Sequence, residues 1–176
     1  MENTENGIKS WRVFLFMLAV LTTAVGGCQM GTYLPGAGMV DQDYWIPLQT
    51  GETQSGTWDG MYVAIKYKYV RDGNKLKLQG VVRYADKIVN NYTGIDYFHL
   101  DALFLDPQGK VIETQGLASD AGEPLGPSSA DPSVYFKKES ILPANTVSMA
   151  FSYKGQAVAS DDGTGGPRYF WEYPVH

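Results

Sequence analysis

The chain has 176 residues, 44% of them apolar and 13% aromatic, which is enough for one domain with a real core and excludes disorder as a description of the whole. It carries 14 Lys and Arg against 19 Asp and Glu, a formal charge of -5. No run of basic residues marks a segregated positive face, so a nucleic-acid partner is not expected.

Lys9 and Arg12 lead into an uncharged run from Val13 to Val25. A bilayer span needs about 20 apolar residues, whereas the apolar region of a secretory signal has roughly 7–15, and this run fits the second class. Glu2 and Glu5 dilute the positive start, yet the two basic residues nearest the run still set a positive-inside bias. The run ends in Val25-Gly26-Gly27-Cys28, with the only cysteine of the chain directly after two glycines. This segment resembles the lipobox of bacterial lipoproteins. The resemblance implies that residues 1–27 are a signal peptide, that cleavage falls between Gly27 and Cys28, and that the Cys28 thiol carries a diacylglycerol group with a further acyl chain on the new amine. Each buried acyl CH₂ contributes roughly 0.8 kcal/mol, so two or more chains make a lasting anchor, and the membrane is a partner through this lipid. Gln29 stands where an aspartate would resemble an inner-membrane retention signal, which implies an outer-membrane location facing the periplasm. With no second cysteine, the domain has to be stable by packing alone.

Residues 28–57 are rich in Gly, Pro and small polar side chains and read as a tether with a docked patch at Tyr44, Trp45 and Ile46 that packs on the domain or forms a short edge strand. Residues 58–176 then alternate. Trp58 to Val70 places Met61, Val63, Ile65, Tyr67 and Tyr69 on one face; Asp72-Gly73 predicts a hairpin, because Gly supplies the positive φ of the turn, and Lys75 to Tyr84 alternates again. Tyr97–Asp106 and Val111–Leu117 flank an Asp106-Pro107-Gln108-Gly109 turn, and Ala118–Ser133 reads as a long loop broken by Pro124, Pro127 and Pro132. Val134–Leu142, Val147–Tyr153 and Arg168–Tyr173 complete the set, with a second loop over Ser160–Pro167. About seven strands without a sustained helical stripe predict an all-β, immunoglobulin-like antiparallel sandwich, with a transthyretin-like sandwich or small barrel giving nearly the same pattern.

The chemistry-bearing residues are sparse. His99 alternates away from Phe98 and Leu100, His176 is terminal, and no Gly-x-Ser-x-Gly elbow, HExxH or phosphate loop occurs, so neither an enzyme nor a metal or cofactor is expected. Asp96, Asp101, Glu113 and Glu139 could supply a glycosidase pair, but read more simply as sheet-surface solvation. Asp161-Asp162-Gly163 lacks the spacing of a calcium loop, and Asn91-Tyr92-Thr93 formally matches a glycosylation acceptor. The densest aromatic cluster is Tyr169-Phe170-Trp171-Glu172-Tyr173. In a strand, Tyr169, Trp171 and Tyr173 share one face. Burial of these three as the last core strand is the favoured reading; with Phe170 inside instead, they would form an outward strip for sugar stacking or partner binding. The expected function is a non-enzymatic, lipid-anchored binding or assembly module with an envelope protein as partner. The alternatives are a carbohydrate-binding or carbohydrate-active domain, or a subunit of a secretion or transport assembly.

Overall fold

The computed structural model describes residues 38–125, 132–158 and 167–176. The segment read as a signal peptide, Gly27, Cys28, the first part of the segment read as a tether and the Asp161-Asp162-Gly163 segment lie outside the described residues. Those residues form nine strands, two more than the alternation predicts: β1 (Ile46–Pro47), β2 (Gln54–Asp59), β3 (Val63–Asp72), β4 (Lys75–Tyr84), β5 (Gly94–Leu105), β6 (Val111–Pro124), β7 (Ser133–Ile141), β8 (Ser148–Val158) and β9 (Arg168–Glu172). A single helical turn, α1 (Asp86–Val89), buries Ile88 between β4 and β5.

All the strand pairings are antiparallel and make two sheets, β2-β3-β4-β7 and β6-β5-β8, with β1 and β9 sharing the far edge of β8. The chain crosses between sheets from β1 to β2, from β4 to β5, from β6 to β7 and from β7 to β8. That Greek-key order, with β4 beside β7 and β5 beside β8, is the arrangement of an immunoglobulin-like sandwich. The core fills the space between the sheets: Trp58, Ile65, Leu78, Val82 and Phe136 meet Phe98, Leu100, Phe104, Phe151 and Tyr153.

The two added strands come from the stretch read as a tether. Ile46 pairs with Met149 as a short edge strand, and Ile46 and Leu48 are buried. The run read as one strand from Trp58 to Val70 reverses at Gly60–Tyr62, where the Gly60 amide donates to the Val63 carbonyl; Asp59 ends β2 and Val63 begins β3. The segment 118–124, expected as loop, extends β6 instead, because small residues fit an edge position beside β5 and Pro124 stops the pairing only at the strand end.

A second, smaller apolar cluster lies at one end of the larger sheet, where Val40, Leu103, Leu105, Val111 and Ala150 pack with Trp45 and Val175. The two chain segments close over this end as a clasp: Met39 and His176 exchange backbone hydrogen bonds, and the Trp45 indole N–H donates to the Val40 carbonyl at 3.0 Å. Gly109, with φ +83, makes room for the Trp45 ring, since a Cβ there would lie 2.1 Å from it. This double covering explains why Ser148–Tyr153 of β8 is buried at every position rather than at alternate ones.

Candidate functional site

Beyond the clasp, the outer face of the larger sheet stays open. Its phase at the edge is set by Gly155, which stands opposite Phe170 in register. A Cβ on Gly155 would come 2.4 Å from the Phe170 ring, so the bare backbone gives the ring its seat. Phe170 is 1% exposed and packs on Tyr62, Tyr84, Phe98 and Tyr153. Strand alternation then turns Tyr169 and Trp171 outward, with Tyr173 just past the strand end; they are 55%, 60% and 43% exposed. The favoured burial of these three rings is therefore wrong. The space over Gly155 accommodates only the residue facing it, and that residue is Phe170.

The same register lays polar side chains beside the strip. Lys154 stands opposite Trp171 and His99, and Gln156 opposite Tyr169 and Tyr97. His99 Nε2 lies 3.0 Å from Asp101 Oδ1, two residues along β5 on the same face. Burial raises the Tyr173 phenol above its ordinary value, and the nearby Asp101 and Tyr97 add to the shift. Along the free edge of β9 runs a groove of about 580 Å³, walled by Met61, Tyr62, Arg168, Tyr169 and Trp171. Arg168 Nη2 donates to the Tyr62 hydroxyl at 3.2 Å, while Lys87 Nζ sits 4.0 Å above the Tyr62 ring.

Glu172, which the sequence did not single out, fixes the strip in place. Its Oε2 accepts from the Met61 amide and from the Tyr153 hydroxyl, both at 2.8 Å, tying the end of β9 to the β2–β3 turn. Tyr153 ionises well above the usual tyrosine range, first through burial and then through its hydrogen bond to Glu172. Tyr44 is also raised, chiefly by the charge of Glu172. Gly60 packs close to this carboxylate, and a turn glycine three residues before a strand was the available signal.

The four carboxylates considered from the sequence do not converge. Asp101 lies on the aromatic face, Glu139 pairs with Lys77 on the other sheet, Glu113 stands opposite Phe104, and Asp96 sits at an irregularity of β5. Asn91 of the acceptor-like triplet donates from Nδ2 to the Lys87 carbonyl at 2.8 Å. Among the described residues no group of three or more His, Cys, Asp or Glu could hold a metal ion, and no helix is long and apolar enough to cross a membrane. No protein-family model matches the chain, and no curated protein or solved structure matches it.

Proposed function

We propose that this protein is a lipid-anchored, non-enzymatic binding module of a bacterial outer membrane, facing the periplasm, and that the open outer face of its larger sheet takes a carbohydrate. The anchor reading rests on the apolar run and the Val25-Gly26-Gly27-Cys28 motif. The ligand reading rests on one observation: with Phe170 inside, the Tyr169, Trp171 and Tyr173 rings face solvent. Same-face residues along a strand are spaced by about 7 Å, so the rings form a row rather than a single point. A sugar presents a face of C–H groups for stacking and a rim of hydroxyls. The strip offers the first complement, and His99, Asp101, Lys154 and Gln156 the second.

Binding fits better than hydrolysis, because a glycosidase needs two carboxylates across one bond, whereas Asp101 and Glu139 stand on different sheets. A role as an assembly subunit held by strand addition has less support. The long edge strand β6 is bulged, carries small and acidic side chains and ends in proline, features that blunt edge pairing.

The test is polysaccharide pull-down and glycan-array binding by the full chain in detergent micelles, compared with Trp171→Ala and Tyr169→Ala. Each variant should lose about tenfold in affinity with an unchanged thermal midpoint. Glycan binding that survives both changes, or its absence in the native chain, overturns the ligand class. The anchor is tested separately: a metabolic fatty-acid label should appear on the native chain and vanish in Cys28→Ser.

A further inference from the structure

Charge is unevenly placed on this chain. Although the net charge is -5, the alternation of β3, β4 and β7 turns Lys66, Lys68, Lys77, Arg83 and Lys137 to the outer face of the smaller sheet. The segregated basic face that is invisible in the linear sequence thus arises on folding, because its members come from alternate positions of three strands. At its rim, charges of opposite sign meet: Lys77 Nζ lies 3.6 Å from Glu139, and Asp72 stands opposite Lys75 at the hairpin. At its centre they do not. Lys66 stands opposite Thr57 and Val81, Lys68 opposite Ser55 and Gln79, and Lys137 opposite Gln79, so none of the three faces a carboxylate in register.

These three lysines border a shallow groove of about 550 Å³ whose lining includes Val81 and Tyr135. Tyr135 is 78% exposed. Ammonium groups around an apolar floor complement an amphiphilic anion: a phosphate for the lysines, and glycerol and upper acyl carbons for Val81 and Tyr135. Tyrosine is also a residue that favours the headgroup level of a bilayer, and a cluster of lysines is drawn to acidic lipid. A nucleic acid would satisfy the charges but not the aliphatic part of the floor.

We propose that the outer face of the smaller sheet docks on a bilayer surface rich in anionic phospholipid, with headgroup phosphates between Lys66, Lys68 and Lys137 and Tyr135 at the headgroup level. The two outer faces of a sandwich point in opposite directions, so docking leaves the aromatic strip turned toward the aqueous side. The inference requires neither a lipid on Cys28 nor a glycan on the strip.

The test places the full chain in vesicles of neutral phosphatidylcholine, or of phosphatidylcholine with anionic phosphatidylglycerol, and follows lysine acylation residue by residue by mass spectrometry. On anionic vesicles Lys66, Lys68 and Lys137 should label about fivefold more slowly than on neutral ones, and added salt should restore the rate. Lys154, on the opposite face, should label equally on both. Equal labelling of the three lysines on both vesicles overturns the proposal. So does equal protection by a soluble oligonucleotide in detergent without phospholipid, which would make this a nucleic-acid surface. Because the same chain is compared on two lipid compositions, the result is independent of how the chain is held and of what the strip binds.

Discussion

The outer face of the smaller sheet presents lysines and short polar side chains around Val81 and the exposed Tyr135, whereas that of the larger sheet is aromatic at β9, polar through β5 and β8, and sealed at one end by the clasp of Val40, Trp45 and Val175. The two faces are held in phase by different means. On β3 and β4, hairpin-linked strands of ten residues each, the outward positions are fixed by Val63, Ile65, Tyr69, Leu76, Leu78 and Val82, all buried. On β9, five residues long and paired on one side only, one inward ring and the hydrogen-bonded Glu172 carboxylate do the same work. The basic face is therefore over-determined, and the aromatic face depends on Phe170 and Glu172.

That contrast can be broken most directly at Phe170. Phe170→Ala should lower the unfolding free energy by about 3–5 kcal/mol in denaturant titration, with loss of the strip, while Trp171→Ala should stay within about 0.5 kcal/mol of the native chain. Comparable costs for the two would place Trp171 in the core and invert the site. Gly155→Ala drives a Cβ into the same ring and should cost about 1–3 kcal/mol, since the ring cannot withdraw from a packed core.

The Glu172 link sharpens the comparison further. Tyr153→Phe removes a hydrogen bond to a charged acceptor and should cost about 1.5–3 kcal/mol by thermal unfolding. It should also change the alkaline limb. The Tyr153 phenol is held protonated in the fold above its ordinary value of 10.0, so at higher pH the unfolded chain releases that proton first and stability falls as pH rises. A pH titration of stability should show this fall begin near pH 10 and become shallower in Tyr153→Phe; an unchanged slope would mean that the proton is lost elsewhere. The smallest effect belongs to the basic face. Lys77 and Glu139 are 68% and 66% exposed at the side chain, so Glu139→Gln should move stability by no more than about 0.5 kcal/mol.

Several elements were legible from residues alone. The Asp72-Gly73 and Asp106-Pro107-Gln108-Gly109 turns lie between the pairs β3–β4 and β5–β6, and Tyr44, Trp45 and Ile46 pack on the domain as the docked patch expected within residues 28–57. The misreadings share a cause. Trp58 to Val70 reads as one run because apolar residues continue through the turn at Gly60–Tyr62, yet the phase slips there: Trp58 and Val63, five residues apart, are both buried, and Met61, placed by alternation with Val63, is exposed. Residues 118–124 lack apolar signal because an edge strand beside β5 needs backbone pairing more than side-chain burial. The Tyr169–Tyr173 cluster carries large rings at every odd position and one between them, so alternation alone allows either phase.

The residues by themselves determined a β-rich chain of two-residue period, its main hairpins, and a short apolar run ending in a single cysteine, since each depends on neighbours within a few positions. Which rings face water, which lysines gather on one face, and that Glu172 joins β9 to the β2–β3 turn were decided by the tertiary structure. Each of these depends on what stands across a sheet or between two sheets: Gly155 beneath Phe170, Gln79 between Lys68 and Lys137, and the Met61 amide beside a carboxylate 111 residues away.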